Sequence, residues 1–353
     1  MRVNIMVLFS VIIFLSISSI CLPEEFFSVT KDYKLKFPEN LNFKKDFRIQ
    51  WWYFTGHIYD EKGSEFGYEL TFFVVNVQKK KFNSKFGVNR IYISHFAITD
   101  VLNEKFYFSE KADSGAFGFA ELSENELNFR IDENSLRYNI INGFHIKAQD
   151  SEKALELFLK PLKPLVLHGE NGYFRKSEES PFIASYYFSY SNLYTHGTLK
   201  IRNKKFKVTG KSWFDREFLS NLIGTKLSGW DWFSIQLDDE REIMLYILRK
   251  KDGSIDLHSS GTFIYANGKY RNLSIKEFSV TARSFYISRK TKAKYPIEWE
   301  VRIPSEEVNI RITSLVKEQE VLAYKTTGNY YWEGTCKVEG SSNGRAYLEM
   351  TGY

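Results

Sequence analysis

The chain has 353 residues, a length that favours two domains of about 150 to 200 residues over a single one. Hydrophobic residues make up 43% and aromatic residues 17%, against only 7 prolines, which excludes a disordered chain and is typical of a strand-rich globular protein. The net charge of +6 is mild, and the sequence contains no nucleic-acid-binding module, phosphate-binding glycine loop or metal-finger spacing. We therefore expect no nucleic-acid partner.

The N-terminus has the pattern of a secretory signal peptide. Residues 1–20, "MRVNIMVLFSVIIFLSISSI", combine one basic residue with an apolar run that is shorter than the roughly 20 residues of a membrane-spanning helix. Cleavage there would leave Cys21 first, where it is a candidate for lipidation; the alternative is a disulfide with Cys336. We expect an exported protein of the periplasm or cell envelope, with a lipid anchor as its only membrane contact.

After an N-terminal arm at 21–47, the pattern has a period of two residues and is interrupted by turns. "QWWYFTGHIYD" and "YELTFFVVNV" flank the turn "EKGSEFG", and "WDWFSIQL" and "IMLYILRK" flank "DDERE". "LSENELNFRIDENSLRYNI" predicts two more strands around "DENS", and Asn267-Gly268 predicts another hairpin turn. The fold class is therefore all-β, a sandwich or a barrel.

Two of these hairpins resemble each other. One begins at Trp51-Trp52-Tyr53 and the other at Trp230-Asp231-Trp232, about half the length of the chain further on. A stretch with Pro, Gly and Ser, residues 160–181, separates them. We interpret the pattern as a duplicated β domain, with one copy at 48–170 and the other at 171–353; chance similarity of two aromatic hairpins is the alternative.

Carboxylates are the candidates for chemistry. The six histidines show no metal-site spacing and there is no Gly-x-Ser-x-Gly elbow, so neither a metal site nor a cofactor is predicted. In "KSWFDREF", Asp215 and Glu217 are two residues apart, which on a strand places them on one face while Arg216 points to the other. Such a pair among aromatics would have raised pKa values, as acid catalysis needs. The alternative is a structural ion pair that involves Arg216.

A series of motifs also resembles a known family. "QWWYFTGHIYDEKGSEFGYELTFF", "ISHFAITD", "LVLHGENGYFRKS", "ASYYFSYSNLYTHGTL", "VTGKSWFDREF", "GWDWFSIQLDDEREIMLYILRKKDGS", "YPIEWEVRIP" and "YYWEGTCKVEG" follow one another as in the AttH-type lipocalin-like proteins, the predicted secreted hydrolases related to carotenoid 1,2-hydratases. The resemblance extends over residues 37–353. It implies two consecutive lipocalin-like antiparallel β-barrel domains and a lipophilic ligand such as a lipid or isoprenoid.

The chemistry of hydrating an isolated carbon–carbon double bond, which needs a neutral acid to protonate the alkene, would give particular residues a role. Asp215 would be the acid and Glu217 its partner or the group that orients water, with Tyr246 beside them. The residues expected to line a ligand site are Trp52, His57, His95, His196, Trp213, Arg216, Asp231 and Trp232. Three positions depart from the hydratase pattern: Arg216 replaces a histidine, Phe218 a tryptophan and Leu248 an acid.

Three functions remain open at this stage. The first is binding or carriage of a hydrophobic small molecule. The second is an enzyme of hydratase or hydrolase type that uses an acid pair in an apolar pocket. The third is a structural envelope protein whose barrels are filled by their own side chains.

Overall fold

The computed structural model describes residues 26–77, 87–221 and 224–353. Within these ranges the regular structure is β-strand, as the period-two pattern predicts, apart from two short 3-10 turns at Glu39–Leu41 and Pro304–Glu306. No helix among these residues is long and apolar enough to cross a bilayer. The predicted leader at 1–20 and the lipidation candidate Cys21 lie outside the described residues.

The first sheet has 13 antiparallel strands in the order β4-β3-β2-β1-β13-β12-β9-β8-β7-β6-β5, with β10 and β11 paired to β12. Its strands are β1 Ile49–Asp60, β2 Glu65–Asn76, β3 Arg90–Asp100, β4 Lys105–Asp113, β5 Ala120–Leu122, β6 Asn128–Ile131, β7 Asn134–Asn139, β8 Gly143–Gln149, β9 Lys153–Pro161, β10 Val166–Leu167, β11 Tyr173–Arg175, β12 Ala184–Ile201 and β13 Lys204–Leu219. The two ends of the sheet meet, because Lys111 Nζ of β4 lies 2.6 Å from Glu133 Oε2 beside β6.

The second sheet has 10 antiparallel strands in the order β17-β16-β15-β14-β23-β22-β20-β19-β18, with β21 paired to β22. Its strands are β14 Leu227–Leu237, β15 Glu242–Lys250, β16 Ser260–Ile264, β17 Tyr270–Ser274, β18 Ser279–Ile287, β19 Lys294–Ile303, β20 Val308–Ser314, β21 Glu320–Ala323, β22 Asn329–Gly340 and β23 Gly344–Thr351. In both sheets the first long strand pairs with the last one and starts a four-strand meander. This shared topology accounts for the similar hairpins.

The expected division at 170/171 does not coincide with the division between the sheets. β12 and β13 follow residue 170, yet β13 pairs with β1 along its length, from Ile49 opposite Leu219 to Asp60 opposite Val208. These two strands therefore complete the first sheet, and the second sheet starts at Leu227. The physical reason is that a barrel-like sheet is completed by a late strand that returns to its first strand.

Aromatic side chains fill the interior of the first sheet. Phe54 packs between Phe144 and Phe214 with ring centroids 5.3 and 4.7 Å away, and all three side chains are buried. The described part of the N-terminal arm adds to this core, since Leu41 is buried and its carbonyl accepts a hydrogen bond of 2.7 Å from Trp52 Nε1. The second sheet has its own core, in which Phe233 packs edge-on against Trp299.

Candidate functional site

A third cluster of buried apolar side chains lies between the two sheets, and we call it the seam. It joins the outer face of β1, β12 and β13 to β14 and β15. Its members are Tyr53, Val166, Phe174, Tyr187, Trp213, Leu227, Trp232, Met244, Tyr246, Leu248 and Ile264. Because both sheets contribute aromatic residues, the seam is a candidate pocket with one wall from each half of the chain.

The stretch "KSWFDREF" forms the end of β13, and the alternation of its side chains is as predicted. Trp213, Asp215 and Glu217 face the seam, whereas Arg216 points into the core of the first sheet, where its guanidinium carbon lies 4.0 Å from the ring centroid of Trp52. The strand register continues this row onto β1, where Tyr53 is paired with Asp215. The two carboxylates therefore share one face of the strand.

Asp215 is buried, with polar groups around both carboxyl oxygens. Trp213 Nε1 donates a hydrogen bond of 2.6 Å to Oδ1, and the Tyr187 hydroxyl lies 2.8 Å from Oδ2. Ser189 Oγ is hydrogen-bonded to Oδ1. From the second sheet, Trp232 Nε1 donates a bond of 2.9 Å to the Tyr187 oxygen. One carboxyl group thus links the two walls of the seam.

Burial sets the charge of this carboxyl group. Removal from water raises the pKa of Asp215 to about 7, although the surrounding hydrogen bonds limit the rise. The pKa of Glu349, on β23 across the seam, is raised to about 7 by the same cause. Carboxyl groups with such pKa values carry their protons in slightly acidic solution and in about half of the molecules at pH 7, so both can act as acids.

Glu217, two residues along the strand, has a different environment. Its Oε1 atom lies 2.6 Å from Lys176 Nζ, and both side chains are buried. The Ser185 hydroxyl donates a further hydrogen bond to the same carboxylate. Lys176 also lies over the ring of Tyr246, 4.5 Å from the centroid. Glu217 is therefore an ion-paired carboxylate, whose cation is Lys176 and not Arg216.

A second group of carboxyls lies further along the interface between the sheets. Burial raises the pKa of Glu333 and of Glu69 well above the usual range, and each lies close enough to Glu349 for the charges to repel. The hydroxyl of Tyr53 donates a hydrogen bond to Glu333. Since few cations are near, these groups are held mainly in the uncharged form.

Half-buried aromatic side chains mark where the seam approaches the surface. Trp51 and Trp230 are partly buried and pack against the seam cluster. The ring of Trp230 is stacked on that of Tyr246, with 6.4 Å between the ring centroids, and the ring centroids of Trp51 and Phe73 are also 6.4 Å apart. Glu349 is hydrogen-bonded to Trp230, so one of the two acids with a pKa near 7 lies beside this edge. We call the edge formed by Trp51, Phe73, Trp230 and Glu349 the mouth of the seam.

Two of the predicted histidines line the interface away from Asp215. His57 Nδ1 lies 3.0 Å from Glu65 Oε1, and its ring contacts the Thr335 hydroxyl of the second sheet. His95 Nδ1 lies 2.8 Å from the Tyr331 hydroxyl, and burial lowers the pKa of His95 to about 3. Both histidines join the two sheets through hydrogen bonds of their ring nitrogens.

Four predicted site residues lie outside the seam. Trp52 and Arg216 face the core of the first sheet, and Arg216 donates its hydrogen bonds to Gln50 Oε1 and to backbone carbonyls. Asp231 points into the second sheet, 3.1 Å from Arg249 Nε, and burial raises its pKa to about 6. His196 is exposed on the outer surface of the first sheet. The structure does not bring these side chains to Asp215, so their predicted contact with a ligand there has no geometric support.

Known proteins share this architecture. The AttH-like family matches residues 28–353. This chain belongs to the AttH-like family.

The solved structure of a putative AttH protein from Nitrosomonas europaea is similar to this AttH-like chain, with a TM-score of 0.84 and 30% identity over 93% of this chain and 99% of that one. Kievitone hydratase from Nectria haematococca superposes with a TM-score of 0.70 at 14% identity, over 93% and 97% of the two chains. CghA in complex with Sch210972 gives a TM-score of 0.57 at 11% identity, over 94% and 97%. The last two show a shared fold. A search of curated protein sequences returned no match.

Several groups at the site of this AttH-like chain were missed by the sequence reasoning. Tyr187 and Ser189 contact Asp215, Lys176 pairs with Glu217, and His168 contacts Ser189. The alternation in "ASYYFSYS" places Tyr187 and Ser189 on one face and could have identified them as neighbours. Nothing local signals His168 or Lys176, because they come from the segments around β10 and β11 and reach the seam only through the tertiary fold.

The free space beside Trp213 of this AttH-like chain is small. A cavity of about 10 Å³ lies beside Trp213 and is bounded by Thr55 and Tyr347, enough for roughly one water molecule. A larger groove of about 500 Å³ lies at one end of the first sheet, next to Tyr138 and Phe144. Within the described ranges, no group of three or more His, Cys, Asp or Glu is arranged to hold a metal ion.

Proposed function

We propose that this AttH-like protein is an enzyme of hydratase type, which adds water to a carbon–carbon double bond of a hydrophobic small molecule. The observation that carries the proposal is the Asp215 carboxyl, buried between aromatic walls with a pKa of about 7. An uncharged carboxylic acid is the group that protonates an alkene. The similar fold of kievitone hydratase supports the reaction class, although the low identity leaves the substrate open.

The proposed reaction balances with water as the only co-reactant. Asp215 transfers its proton to one alkene carbon, which leaves a carbocation on the other carbon and a carboxylate on Asp215. Water attacks the cation, and the proton that it loses returns to the carboxylate. Trp213 and Trp232 stabilise the cation through their ring faces. The small cavity beside Trp213 has the volume for such a water molecule.

The neighbouring groups have supporting roles in this proposal. The Lys176–Glu217 ion pair keeps a negative charge 2.6 Å from its cation, which reduces its effect on Asp215. Tyr246 forms a wall opposite Phe174, with ring centroids 5.6 Å apart. The substrate would enter at the mouth, where Trp51 and Trp230 are the partly buried aromatics. Since the seam is closely packed, entry requires these side chains to move.

The test is turnover of a panel of isoprenoid and other hydrophobic alkenes by the protein and by Asp215→Asn. We expect the variant to lose at least about 100-fold in kcat, the lower range of a general-acid contribution, with little change in melting temperature. Asp256→Asn is the matched control, because Asp256 is equally buried but pairs with His258 outside the seam. Equal turnover by the protein and Asp215→Asn would exclude Asp215 as the acid. A stability loss of about 3 to 5 kcal/mol without activity in either form would favour a purely structural role.

A second candidate function is binding or carriage of a hydrophobic small molecule without turnover. The groove of about 500 Å³ favours it, because this volume lies in the range of small-molecule sites, and Phe144, Tyr138 and Leu127 supply apolar surface. Mass spectrometry of an organic extract of the purified protein would show a bound lipid or isoprenoid. An empty extract together with no turnover would favour the third function, a structural envelope protein.

We also propose that the protein is exported and lipidated at Cys21. The support is the N-terminal pattern alone, a basic residue and an apolar run before Cys21. Labelling with a radioactive fatty acid in the native host should mark the protein but not Cys21→Ser. Label in both forms, or in neither, would contradict lipidation at this residue.

A further inference from the structure

A chain of hydrogen bonds leads from the second sheet to Asp215, and its first link has a fixed direction. Asn272 Nδ2 donates to the carbonyl oxygen of Gly169, which settles the orientation of the amide. The other amide atom, Oδ1, is therefore an acceptor. Thr262 Oγ1 lies 3.0 Å from it, so the single hydroxyl hydrogen of Thr262 is used in that bond.

The number of available hydrogens also fixes the donor and the acceptor in the hydrogen bonds of His168. Thr262 Oγ1 has no second hydrogen to donate, so His168 Nδ1, 2.8 Å away, must be the donor in their bond. A neutral imidazole carries one N–H, which leaves Nε2 as an acceptor. Ser189 Oγ lies 2.7 Å from Nε2 and donates its single hydrogen there.

The last link decides the state of Asp215. The Ser189 hydroxyl is already committed to His168, yet its oxygen is also hydrogen-bonded to Asp215 Oδ1. The only remaining hydrogen for this contact is one carried by Oδ1. We propose that His168 and Ser189 are positioning residues, which hold Asp215 in its protonated form with the acidic hydrogen on Oδ1.

One other arrangement has the same number of hydrogens, an imidazolium at His168 with a carboxylate at Asp215. Burial and the nearby Lys176 cation both disfavour it, and together they lower the pKa of His168 to about 3. The carboxylates that face Asp215 disfavour it as well: Glu217 on the same strand and Glu349 from β23. The remaining neighbours, Tyr187 and Trp213 on the first sheet and Trp232 on the second, are uncharged donors.

The arrangement explains how the same groups would serve the reaction. After Asp215 has lost its proton, Trp213 Nε1 and the Tyr187 hydroxyl donate to the new carboxylate, so the negative charge is stabilised as it forms. The Ser189 hydroxyl keeps its hydrogen on His168 Nε2, so its oxygen stays free to accept the proton that returns to Asp215. This catalytic role rests on the hydratase function proposed above, whereas the location of the hydrogens in the ligand-free protein does not.

The first experiment is nitrogen NMR of the ligand-free protein, labelled with ¹⁵N in its histidine rings, at neutral pH. We expect His168 to be neutral with its hydrogen on Nδ1. His168→Gln identifies the signal; where that variant does not fold, the shift of the signal in Ser189→Ala identifies it. A doubly protonated ring, or a neutral ring with its hydrogen on Nε2, would overturn the proposal.

The second experiment follows the carboxyl group itself. Infrared difference spectra between the protein and Asp215→Asn give the protonated carboxyl band of Asp215 as a function of pH. If Ser189 accepts a hydrogen bond from the acid, Ser189→Ala destabilises the protonated form, and the midpoint falls by about one pH unit. If Ser189 instead donates to a carboxylate, the midpoint rises, which would refute the proposal.

Ser185→Ala is the matched control for that titration. Ser185 is on the same strand and equally buried, but it bonds to Glu217, so we expect a much smaller shift in the Asp215 midpoint. An equal shift in both variants would mean that the effect is not specific to the His168 chain. Neither experiment uses a substrate, so a lack of hydratase activity would not change what they show about the hydrogens. A titration that refutes the hydrogen on Oδ1 would likewise not change the result of the turnover test.

Discussion

Asp215 and Glu217 are neighbours on one face of β13, yet their surroundings differ. Glu217 lies 2.6 Å from the Lys176 ammonium, while Asp215 is surrounded by hydroxyl and indole groups. A buried carboxyl group among uncharged donors and an ion-paired carboxylate beside it can take distinct acid and electrostatic roles at one site. The pair therefore supports the assignment of Asp215, and not Glu217, as the proton donor.

The raised pKa of Asp215 has a consequence for stability. In the unfolded chain this carboxyl has a pKa of about 3.9, so between about pH 4 and 7 the unfolded state releases a proton that the folded state keeps. Because the folded state binds more protons, the contribution of Asp215 to the free energy of unfolding decreases as pH rises through this window. Above about pH 7, where Asp215 is ionised in both states, this contribution has been lost in full.

Asp215→Asn removes the titrating group. We therefore expect its free energy of unfolding, relative to that of the natural chain, to be higher at pH 8 than at pH 5. The difference in unfolding free energy should move by on the order of 2 kcal/mol in favour of the variant. Urea unfolding at both pH values measures it. Glu277→Gln is the control, because the pKa of that exposed carboxyl is lowered to about 2 and does not change between these pH values. A pH-independent difference for Asp215→Asn would contradict the raised pKa.

The carboxylate pair was predictable from local alternation, and the groups that control it were not. Period two in "KSWFDREF" was enough to place Asp215 and Glu217 together and Arg216 on the opposite face. The link from His168 to Asp215 joins β12 and β13 to the segment after β10 and to β16. No spacing along one chain encodes such a contact, because it depends on how distant strands pair and how the sheets dock.

At the scale of the elements, the hairpins were predicted and the partner of β1 was not. Residues 49–60 and 65–76 form the first predicted hairpin, whereas β13 lies about 160 positions further along the chain. Local propensity and turn residues specify hairpins, but a closing strand is chosen by tertiary packing. That is why two sheets were predicted correctly while the expected division at 170/171 differs from the one at Leu227.

Gly67 on β2 permits the close contact of the two sheets. A β-carbon built there would lie 2.7 Å from the Thr335 β-carbon of β22, which is closer than such atoms approach in folded proteins. Thr335 in turn bonds to His57 at 2.8 Å. The missing side chain thus allows β2 and β22 to pack against each other.

We expect Gly67→Val to weaken this contact, because its side chain must push β2 and β22 apart. The free energy of unfolding should fall by about 1 to 3 kcal/mol, the usual cost of overpacking. Chemical denaturation, followed by the fluorescence of all seven tryptophans, measures the loss. Ala112→Val, which enlarges an exposed side chain on β4, is the control and should have little effect. Equal stability of Gly67→Val and the natural chain would mean that the sheets can separate there at no cost.

For the whole molecule, the contacts between the sheets are too extensive for the halves to behave as independent domains. The seam buries aromatic residues from both, and polar contacts surround it. Arg345 forms two bonds to the Glu65 carboxylate, of 2.7 and 2.8 Å. Thr99 donates to Gln319 at 2.6 Å. Each sheet alone would expose to water the apolar surface that the seam now buries, which is unfavourable.

This arrangement predicts that the two halves complement each other in trans. When residues 26–221 and 222–353 are co-expressed as separate chains, we expect them to purify as a one-to-one complex, whereas each expressed alone should aggregate or bind hydrophobic dyes. The natural chain should unfold in a single transition that circular dichroism and tryptophan fluorescence report at the same denaturant concentration.

Trp232→Glu in the second half is the decisive variant for this prediction. It places a charge in the seam beside Tyr187, Asp215 and Tyr53, where the unpaired carboxylate would cost several kcal/mol and repel Glu217. We expect it to abolish association of the halves without altering the separate core around Phe233. Two halves that fold alone, stay monomeric and do not associate would show that the seam contributes little to stability, and the inter-sheet site would then lack the rigid second wall that acid catalysis requires.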